Sequence, residues 1–253
     1  MKNRINLANL EALVQVLKSS RYVVVFTGAG ISSESGIPTY RGEGGLWTKY
    51  DPNRYASISH FNQDPSYYWN FFKDVRFPIL KKAKPNKAHT ALAELESLGK
   101  LKSVITQNID GLHQEAGSSR VIELHGTARV IRCTNCLQNY SIDEAYSLLD
   151  REMPPQCWEC QGILRPDVVF FGEPLNPRVL GEAFEEVSSC DFCLAVGSSL
   201  VVYPAADIPV RAKQAGAKMA IINIDPTPLD DMADFIFHDK AGDVLSKLVQ
   251  LLH

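Results

Sequence analysis

The chain predicts an α/β fold: a Rossmann-like, mostly parallel sheet with helices on both faces, joined to a small zinc-ribbon and helical module. Three observations carry this expectation. Short apolar, β-branched runs alternate with helical patterns, the arrangement of a parallel sheet covered on both faces. The first run empties into a glycine loop, Gly28-Ala29-Gly30. Four cysteines form two C-x-x-C pairs, Cys133/Cys136 and Cys157/Cys160, separated by twenty residues.

In chain order, residues 1–20 carry polar residues that break their apolar stretch, so they read as an amphipathic helix rather than an export signal. Tyr22 to Phe26 is a short apolar strand. Residues 42–86 are aromatic-rich, interrupted by Pro52, Pro65, Pro78 and Pro85, and lack regular strands, so they read as an insertion. A helix follows from His89 to Leu98, ended by Gly99, then a strand at Val104 to Thr106 and a short helix from Leu112 to Ala116. Residues 131–167, with Pro154-Pro155 and Gly162 as breakers, read as the zinc ribbon. Helices at 177–189, 205–215 and 241–252 separate or follow strands at Phe192 to Val196 and Met219 to Asn223. The expected organisation is one catalytic domain, 1–253, made of a Rossmann-type part (1–41, 87–130, 168–253) and a small module (42–86 and 131–167).

With 253 residues, 45% of them hydrophobic, the chain can bury a large core. A net charge of -3 gives no basic excess, which argues against direct nucleic-acid binding. There is no run of about 18 apolar residues, so no membrane span is expected. All six cysteines fall in C-x-x-C pairs without an export signal, so a reducing, cytoplasmic location is the default.

The chemistry is concentrated in few residues. Glycines after a strand permit close approach of a pyrophosphate to backbone N–H groups. The G-x-G-x-x-G pattern fails at Ser33, however, so the loop alone leaves nucleotide binding and a plain tight turn both open. The spacing of Cys133, Cys136, Cys157 and Cys160 fits a tetrahedral four-thiolate zinc ion. Such a site has no open position, so it is structural, contributing about 10 kcal/mol to an insertion that lacks a core of its own. Cys190 and Cys193 share the spacing but lie in an apolar run, where cysteine packs as a small hydrophobe. Among six histidines, His89 caps or packs, His113 is a surface or packing residue, and His125 leaves an apolar segment directly before Gly126. There an imidazole can face a crevice as a base, although burial alone explains it equally well.

At this point the sequence resembles a known family. Gly28 to Arg41 (GAGISSESGIPTYR), Thr106-Gln107-Asn108-Ile109-Asp110, Leu124-His125-Gly126, the four-cysteine ribbon, Val168 to Glu173 and Gly197-Ser198-Ser199 occur in the order seen in sirtuins, the NAD-dependent protein-lysine deacylases. That resemblance implies a deacetylase that transfers the acetyl group from lysine to ADP-ribose, releasing nicotinamide and O-acetyl-ADP-ribose, with NAD and one structural zinc as cofactors. It implies that Gly28, Ala29, Gly30 and Ser32 hold the phosphates while Tyr40, Arg41 and Trp47 in the segment 31–47 close over the cofactor. Gln107 would reach the ribose. Asn108, Ile109 and Asp110 would receive the nicotinamide carboxamide, with Asn108 and His125 catalytic and His125 the general base. Gly197, Ser198, Ser199, Asn223, Asp225 and Ala241 would hold the adenosine side.

Partners implied are acetylated-lysine proteins or peptides, added as a strand between the Phe171-Gly172-Glu173 and Leu200-Val201-Val202-Tyr203 segments, with Val169, Phe171 and Val201 lining the lysine tunnel. Two departures from the family pattern stand out. Thr39 and Tyr40 replace an Asp-Phe pair. The Tyr and Arg that select acidic acyl groups fall, on an alignment at Trp69-Asn70-Phe71, at Phe72 and Val75, with Arg76 expected on another helix face. Deacetylation or fatty deacylation is therefore expected over desuccinylation, with mono-ADP-ribosyl transfer as the alternative use of the same site. An ordinary Rossmann oxidoreductase conflicts with the missing third glycine. A nucleic-acid-binding zinc ribbon conflicts with the acidic residues of 131–167, and a zinc hydrolase with the closed thiolate site.

Overall fold

In the computed structural model, β-branched and aromatic residues make Val23–Thr27 (β1) a strand buried along its whole length, as a strand sandwiched between helix layers must be. The structure describes residues 5–42 and 44–253; the first four positions of the expected N-terminal helix, and Glu43 within 31–47, lie outside the described residues. The later strands are β2 (Leu101–Thr106), β3 (Val121–Glu123), β4 (Gly126–Cys133), β5 (Asn139–Ser141), β6 (Leu164–Val168), β7 (Phe192–Val196), β8 (Lys218–Ile222) and β9 (Phe235–Phe237). Six form one parallel sheet in the order β3-β2-β1-β7-β8-β9, and three form a small antiparallel sheet in the order β5-β4-β6. The short edge strand β9 was not anticipated from sequence.

The helices are α1 (Leu7–Ser19), α2 (Pro52–Tyr55), α3 (Ile58–Gln63), α4 (Pro65–Phe71), α5 (Phe77–Lys82), α6 (Lys87–Ser97), α7 (Leu112–Glu115), α8 (Ile142–Leu148), α9 (Pro177–Ser189), α10 (Asp207–Gln214) and α11 (Ala241–Leu252). Alternation along β1 sorts them. Val23 and Val25 pack with α1, α6 and α11, through Leu10, Leu13, Leu92, Leu95 and Leu248. Val24 and Phe26 pack with α9 and α10, through Val187, Ile208 and Ala212. Each fully buried leucine contributes roughly 1.5–3 kcal/mol relative to exposure. Cys190 and Cys193 belong to this second core, as their apolar context predicts. The helix expected from His89 starts two residues earlier, because the Asn86 side chain caps it and the His89 ring accepts from the Asn86 N–H.

Successive strands from β1 go to β2 and β3 on one side, while β7, β8 and β9 lie on the other. The order therefore reverses between β1 and β7, which opens a crevice at their carboxyl ends.

The helical insertion and the zinc ribbon share one core, which corrects the expectation that the ribbon lacks one. Phe61, Tyr68, Trp69 and Phe72 from the insertion pack on Ala128, Ile131, Tyr140, Leu164 and Phe170, and Trp69 Nε1 donates to the Leu164 carbonyl at 3.0 Å. Between α4 and α5 the helix makes a π turn, Phe72–Arg76. Among the described residues no helix is long and apolar enough to cross a membrane.

Candidate active site

The two glycine loops at the switch point interlock. Gly28 N donates to the Val196 carbonyl at 3.1 Å and Gly30 N to the Gly197 carbonyl at 2.7 Å. A Cβ on Gly30 would come within 2.7 Å of that carbonyl, and one on Gly197, whose φ is 61°, within 2.2 Å of the Ile31 nitrogen. Only glycine fits, and the loops leave backbone open at the mouth of a cavity of about 700 Å³. That volume is in the range of cofactor sites.

Its walls gather most of the residues singled out in the sequence. Gly28, Ala29, Gly30, Tyr40, Arg41, Trp47, Gln107, Asn108, Ile109 and His125 line it from one side. Val169, Phe171, Gly172, Glu173, Gly197, Ser198, Ser199, Tyr203, Asn223 and Asp225 line it from the other. Ser32 and Asp110 line a smaller adjoining recess that shares Tyr40, Asn108 and Ile109 with the main cavity. Two expected residues are not brought there. Ala241 is buried in the aliphatic core where α11 begins. Val201 is 45% exposed, because the left-handed turn at Leu200 (φ 54°) presents Val202 and Tyr203 to the cavity instead.

A buried polar network fixes the recess. Ser32 Oγ donates to Asp110 Oδ2 at 2.7 Å and accepts from Asn108 Nδ2 at 3.1 Å, while Asp110 Oδ1 accepts from the Leu112 N–H at 2.9 Å. The Asn108 N–H donates to Thr106 Oγ1, which also accepts from Thr27 Oγ1 at 2.8 Å. With that hydroxyl proton committed, His113 Nε2–H donates to Thr27 Oγ1 at 3.0 Å. His113 is thus a buried support of this network, where the sequence allowed a surface or packing residue. Burial pushes its pKa down to about 3 and that of its neighbour His89 down to about 4, so both rings are neutral.

His125 follows β3, and its Nδ1 lies 2.9 Å from the Gln107 carbonyl. A carbonyl only accepts, so Nδ1 carries the proton and Nε2 keeps its lone pair. Burial holds the pKa below the ordinary value of 6.5, against a smaller raising effect of that hydrogen bond, and favours the neutral base. Gln107 in turn donates from Nε2 to Ser198 Oγ at 2.9 Å, tying β2 to the β7 loop.

On the side expected to receive the peptide, the open backbone is narrower than the sequence suggested. Phe171 N–H and C=O already pair with Ala56 and Ile58, which leaves Gly172 for strand addition. The Glu173 carboxylate is committed to Arg165, 2.9 Å from both guanidinium nitrogens, and to the Phe170 N–H. The cavity also receives Tyr68 and Arg76, which the sequence did not assign to it. The helix-face expectation for Arg76 fails at the π turn. One extra residue per turn rotates the following positions by about 100°, bringing Arg76 to the face where an α-helical count puts Val75.

The four ribbon sulfurs lie within 4.8 Å of one another, with Cys133–Cys160 at 3.5 Å and Cys136–Cys157 at 3.6 Å. A tetrahedral zinc with sulfurs at about 2.3 Å requires edges of about 3.8 Å, so this donor set fits one zinc ion. Leu137 and Gln161 take the same left-handed conformation after each pair (φ 63° and 62°), which makes the two metal-facing turns near-copies. The Tyr140 hydroxyl donates to Cys157 Sγ at 3.0 Å from outside the cluster.

An α/β chain with its cavity at a strand-order reversal, an interlocked glycine cradle and a separate four-cysteine cluster has the architecture of a dinucleotide-binding protein with a donor set that fits one structural zinc ion. Comparison with known proteins gives the family: residues 28–204 match the Sir2 family, and the chain belongs to it. It is 51% identical over 237 residues to an NAD-dependent protein deacylase 2 of Archaeoglobus fulgidus, covering 93% of each chain. It is likewise 51% identical over 231 residues to an NAD-dependent protein deacetylase of Caldivirga maquilingensis, covering 91% of this chain and 88% of that one. Among solved structures it resembles a Sir2 enzyme, with TM-score 0.89, 49% identity and coverage of 97% and 98%. It also resembles a Sir2 complex with a p53 peptide and NAD+, with TM-score 0.89, 39% identity and coverage of 95% and 97%.

Proposed function

We propose that this chain is an NAD-dependent protein-lysine deacetylase, with His125 as general base and acetyl-lysine proteins as substrates in the cytoplasm. The observation that carries the reading is the held imidazole: a neutral ring on the cavity wall, its Nδ1 proton fixed on the Gln107 carbonyl and its Nε2 lone pair available. The family membership supports it.

When bound, NAD supplies a ribose carbon that bears nicotinamide as leaving group and, on the same ring, hydroxyls that accept the acyl group. The chain's own residues do the rest. With the Gly28 and Gly30 N–H groups spent on Val196 and Gly197, the loop meets the phosphates through the Ala29 N–H and the close approach its glycines allow, and Ser198, Ser199, Asn223 and Asp225 bind the adenosine end. Asn108, which uses one of its two Nδ2 protons on Ser32, keeps its side-chain oxygen to accept from the carboxamide, beside Asp110. His125 Nε2 takes the proton from a ribose hydroxyl as the acyl group is transferred. Phe171 and Val169 flank the lysine methylenes and exclude water, while Gly172 and the 200–203 segment pair with the peptide backbone. In sum, the lysine–acyl amide bond and the nicotinamide–ribose bond break, an ester to ADP-ribose forms, and one water is consumed. Cys133, Cys136, Cys157 and Cys160 hold the zinc, which takes no part in these steps.

Incubation of the zinc-loaded protein with an acetyl-lysine peptide, with and without NAD, tests this by mass spectrometry. Deacetylation should require NAD and yield O-acetyl-ADP-ribose. Deacetylation without NAD, or NAD consumption that ADP-ribosylates an acceptor and leaves the peptide acetylated, would contradict it.

A further inference from the structure

The loop that carries Asn223 and Asp225 is closed by a histidine that is not itself on the cavity wall. β8 ends at Ile222, and the chain then runs along the wall through Asn223, Asp225 and Pro226 before turning at residues 227–230. His238 follows directly on β9. Its Nδ1 lies 3.2 Å from the Asn223 carbonyl oxygen, and its Nε2 lies 3.3 Å from Asp230 Oδ2. One ring thus touches both ends of the 223–230 loop. At the far end Thr227 Oγ1 donates to Asp230 Oδ1 at 2.6 Å and accepts from the Leu229 N–H at 3.3 Å. At the near end the Asn223 N–H donates to the Phe237 carbonyl at 3.1 Å, and Asn223 Nδ2 donates to the Asp225 carbonyl at 2.7 Å.

Both of these neighbours of the ring are acceptors. A neutral imidazole has a single N–H, so it serves one of them and turns a lone pair toward the other, whereas an imidazolium serves both. The side chain is 38% exposed, so it exchanges protons with solvent. Imidazole is the side chain whose charge ordinarily changes between about pH 5 and 8. The other charged residues of this corner are Asp225 and Asp231 on the same loop, and Asp239 and Lys240 beyond the ring, where the Asp239 carboxylate accepts from the Lys240 N–H at 3.1 Å. The contact from α1 is neutral, Asn9 Nδ2 to the Ile236 carbonyl at 3.3 Å.

We propose that His238 is a positioning residue for the dinucleotide: as an imidazolium it clips residues 223–230 to the end of β9 and holds Asn223 and Asp225 in place, so that affinity for the dinucleotide falls as the ring loses its proton. This rests on the assignment of Asn223 and Asp225 to the adenosine end made above. Deprotonation removes one of the two bonds, frees one end of the loop and leaves the wall residues less fixed. By linkage, binding of the dinucleotide favours uptake of a proton at the ring. The sign is opposite to that of His125, which must be neutral to act: His125 loses function as pH falls, and the His238 clip loses it as pH rises.

Titration calorimetry with ADP-ribose tests this, because that probe carries the adenosine end and does not react. The Kd of wild-type protein should be about 3–10-fold higher at pH 8.5 than at pH 6.5. His238→Ala should bind weakly at both pH values, and its kcat at saturating NAD should change less than its Kd. Asp230→Asn separates the charge from the contact. Its Oδ1 can still accept from Thr227 while its Nδ2–H donates to Nε2 of the neutral ring, so tight binding should persist at the higher pH and the dependence should vanish. A wild-type Kd that is equal at both pH values, a dependence that survives in His238→Ala, or a loss of equal size at both pH values in that variant overturns this inference and leaves the deacetylase reading standing. Failure of folded wild-type protein to bind ADP-ribose at either pH overturns both.

Discussion

Aliphatic side chains fill both faces of the six-stranded sheet, whereas aromatic rings and four cysteines fill the small module. The contrast follows from size. Strands and helices of the sheet part bury enough leucine, isoleucine and valine to stand on area alone. The small module packs short helices on three short strands, so large rings and a metal must supply what area does not. The imidazole proposed as general base lies at the seam. His125 immediately precedes β4 of the small sheet, while its hydrogen bond goes to the end of β2 in the large one. On the proposed reading, one part brings the dinucleotide end of the cavity and the other shapes its acyl end.

Zinc removal should separate the two parts most strongly. Chelation, or Cys157→Ser, should cost the small module about 10 kcal/mol and abolish deacylation, with loss of the near-ultraviolet signal from Trp69 while most of the far-ultraviolet helical signal persists. Simultaneous loss of both signals would mean that the sheet part depends on the metal as well.

His125→Ala should leave the melting temperature nearly unchanged and lower kcat about 10²–10⁴-fold. Because burial holds this pKa below 6.5 and the neutral ring is the active form, wild-type kcat should stay flat through neutral pH. Activity should fall only as pH drops through the lowered pKa. A limb centred above 6.5 would assign the titration to another group.

Gly197→Ala sharpens the account of the sheet side. A left-handed φ and a Cβ that would meet Ile31 N predict about 2–4 kcal/mol of lost stability, together with a raised KM for NAD, at unchanged zinc content. Denaturant melts and initial rates would measure both. The smallest change is Cys193→Ser, which buries a hydroxyl among Val24, Ala195 and Met219 and should cost about 1–3 kcal/mol. Zinc should remain at one ion per chain, since this C-x-x-C pair lies in the sheet core; a fall in bound zinc would contradict that division.

The sheet was largely legible because each central strand is a continuous apolar run between helical patterns, and helices 177–189 and 241–252 fall where the periodicity puts them. The edge strand Phe235–Phe237 was not, since three residues carry no period. The strands of the ribbon escaped because cysteine chemistry dominates that segment and hides their alternation. At the site, the cysteines announce themselves by local spacing, whereas the glycine loop and His125 are ambiguous by themselves and are assigned through the family resemblance. Arg76 does not announce itself, because its orientation depends on a π turn that a helical wheel with a fixed period misplaces. Tyr68 carries no signal in the sequence and His113 reads as a surface or packing residue; only the fold reveals which of their polar atoms lack partners and which support others.

The most direct measurement is a single time course that counts nicotinamide released, lysine freed and O-acetyl-ADP-ribose formed from one acetyl-lysine peptide, for wild-type protein and His125→Ala. The account predicts equal molar amounts of all three for wild type, and a strong fall in lysine and O-acetyl-ADP-ribose for the variant. Lysine freed without an equal amount of O-acetyl-ADP-ribose, or a variant as fast as wild type, would contradict it.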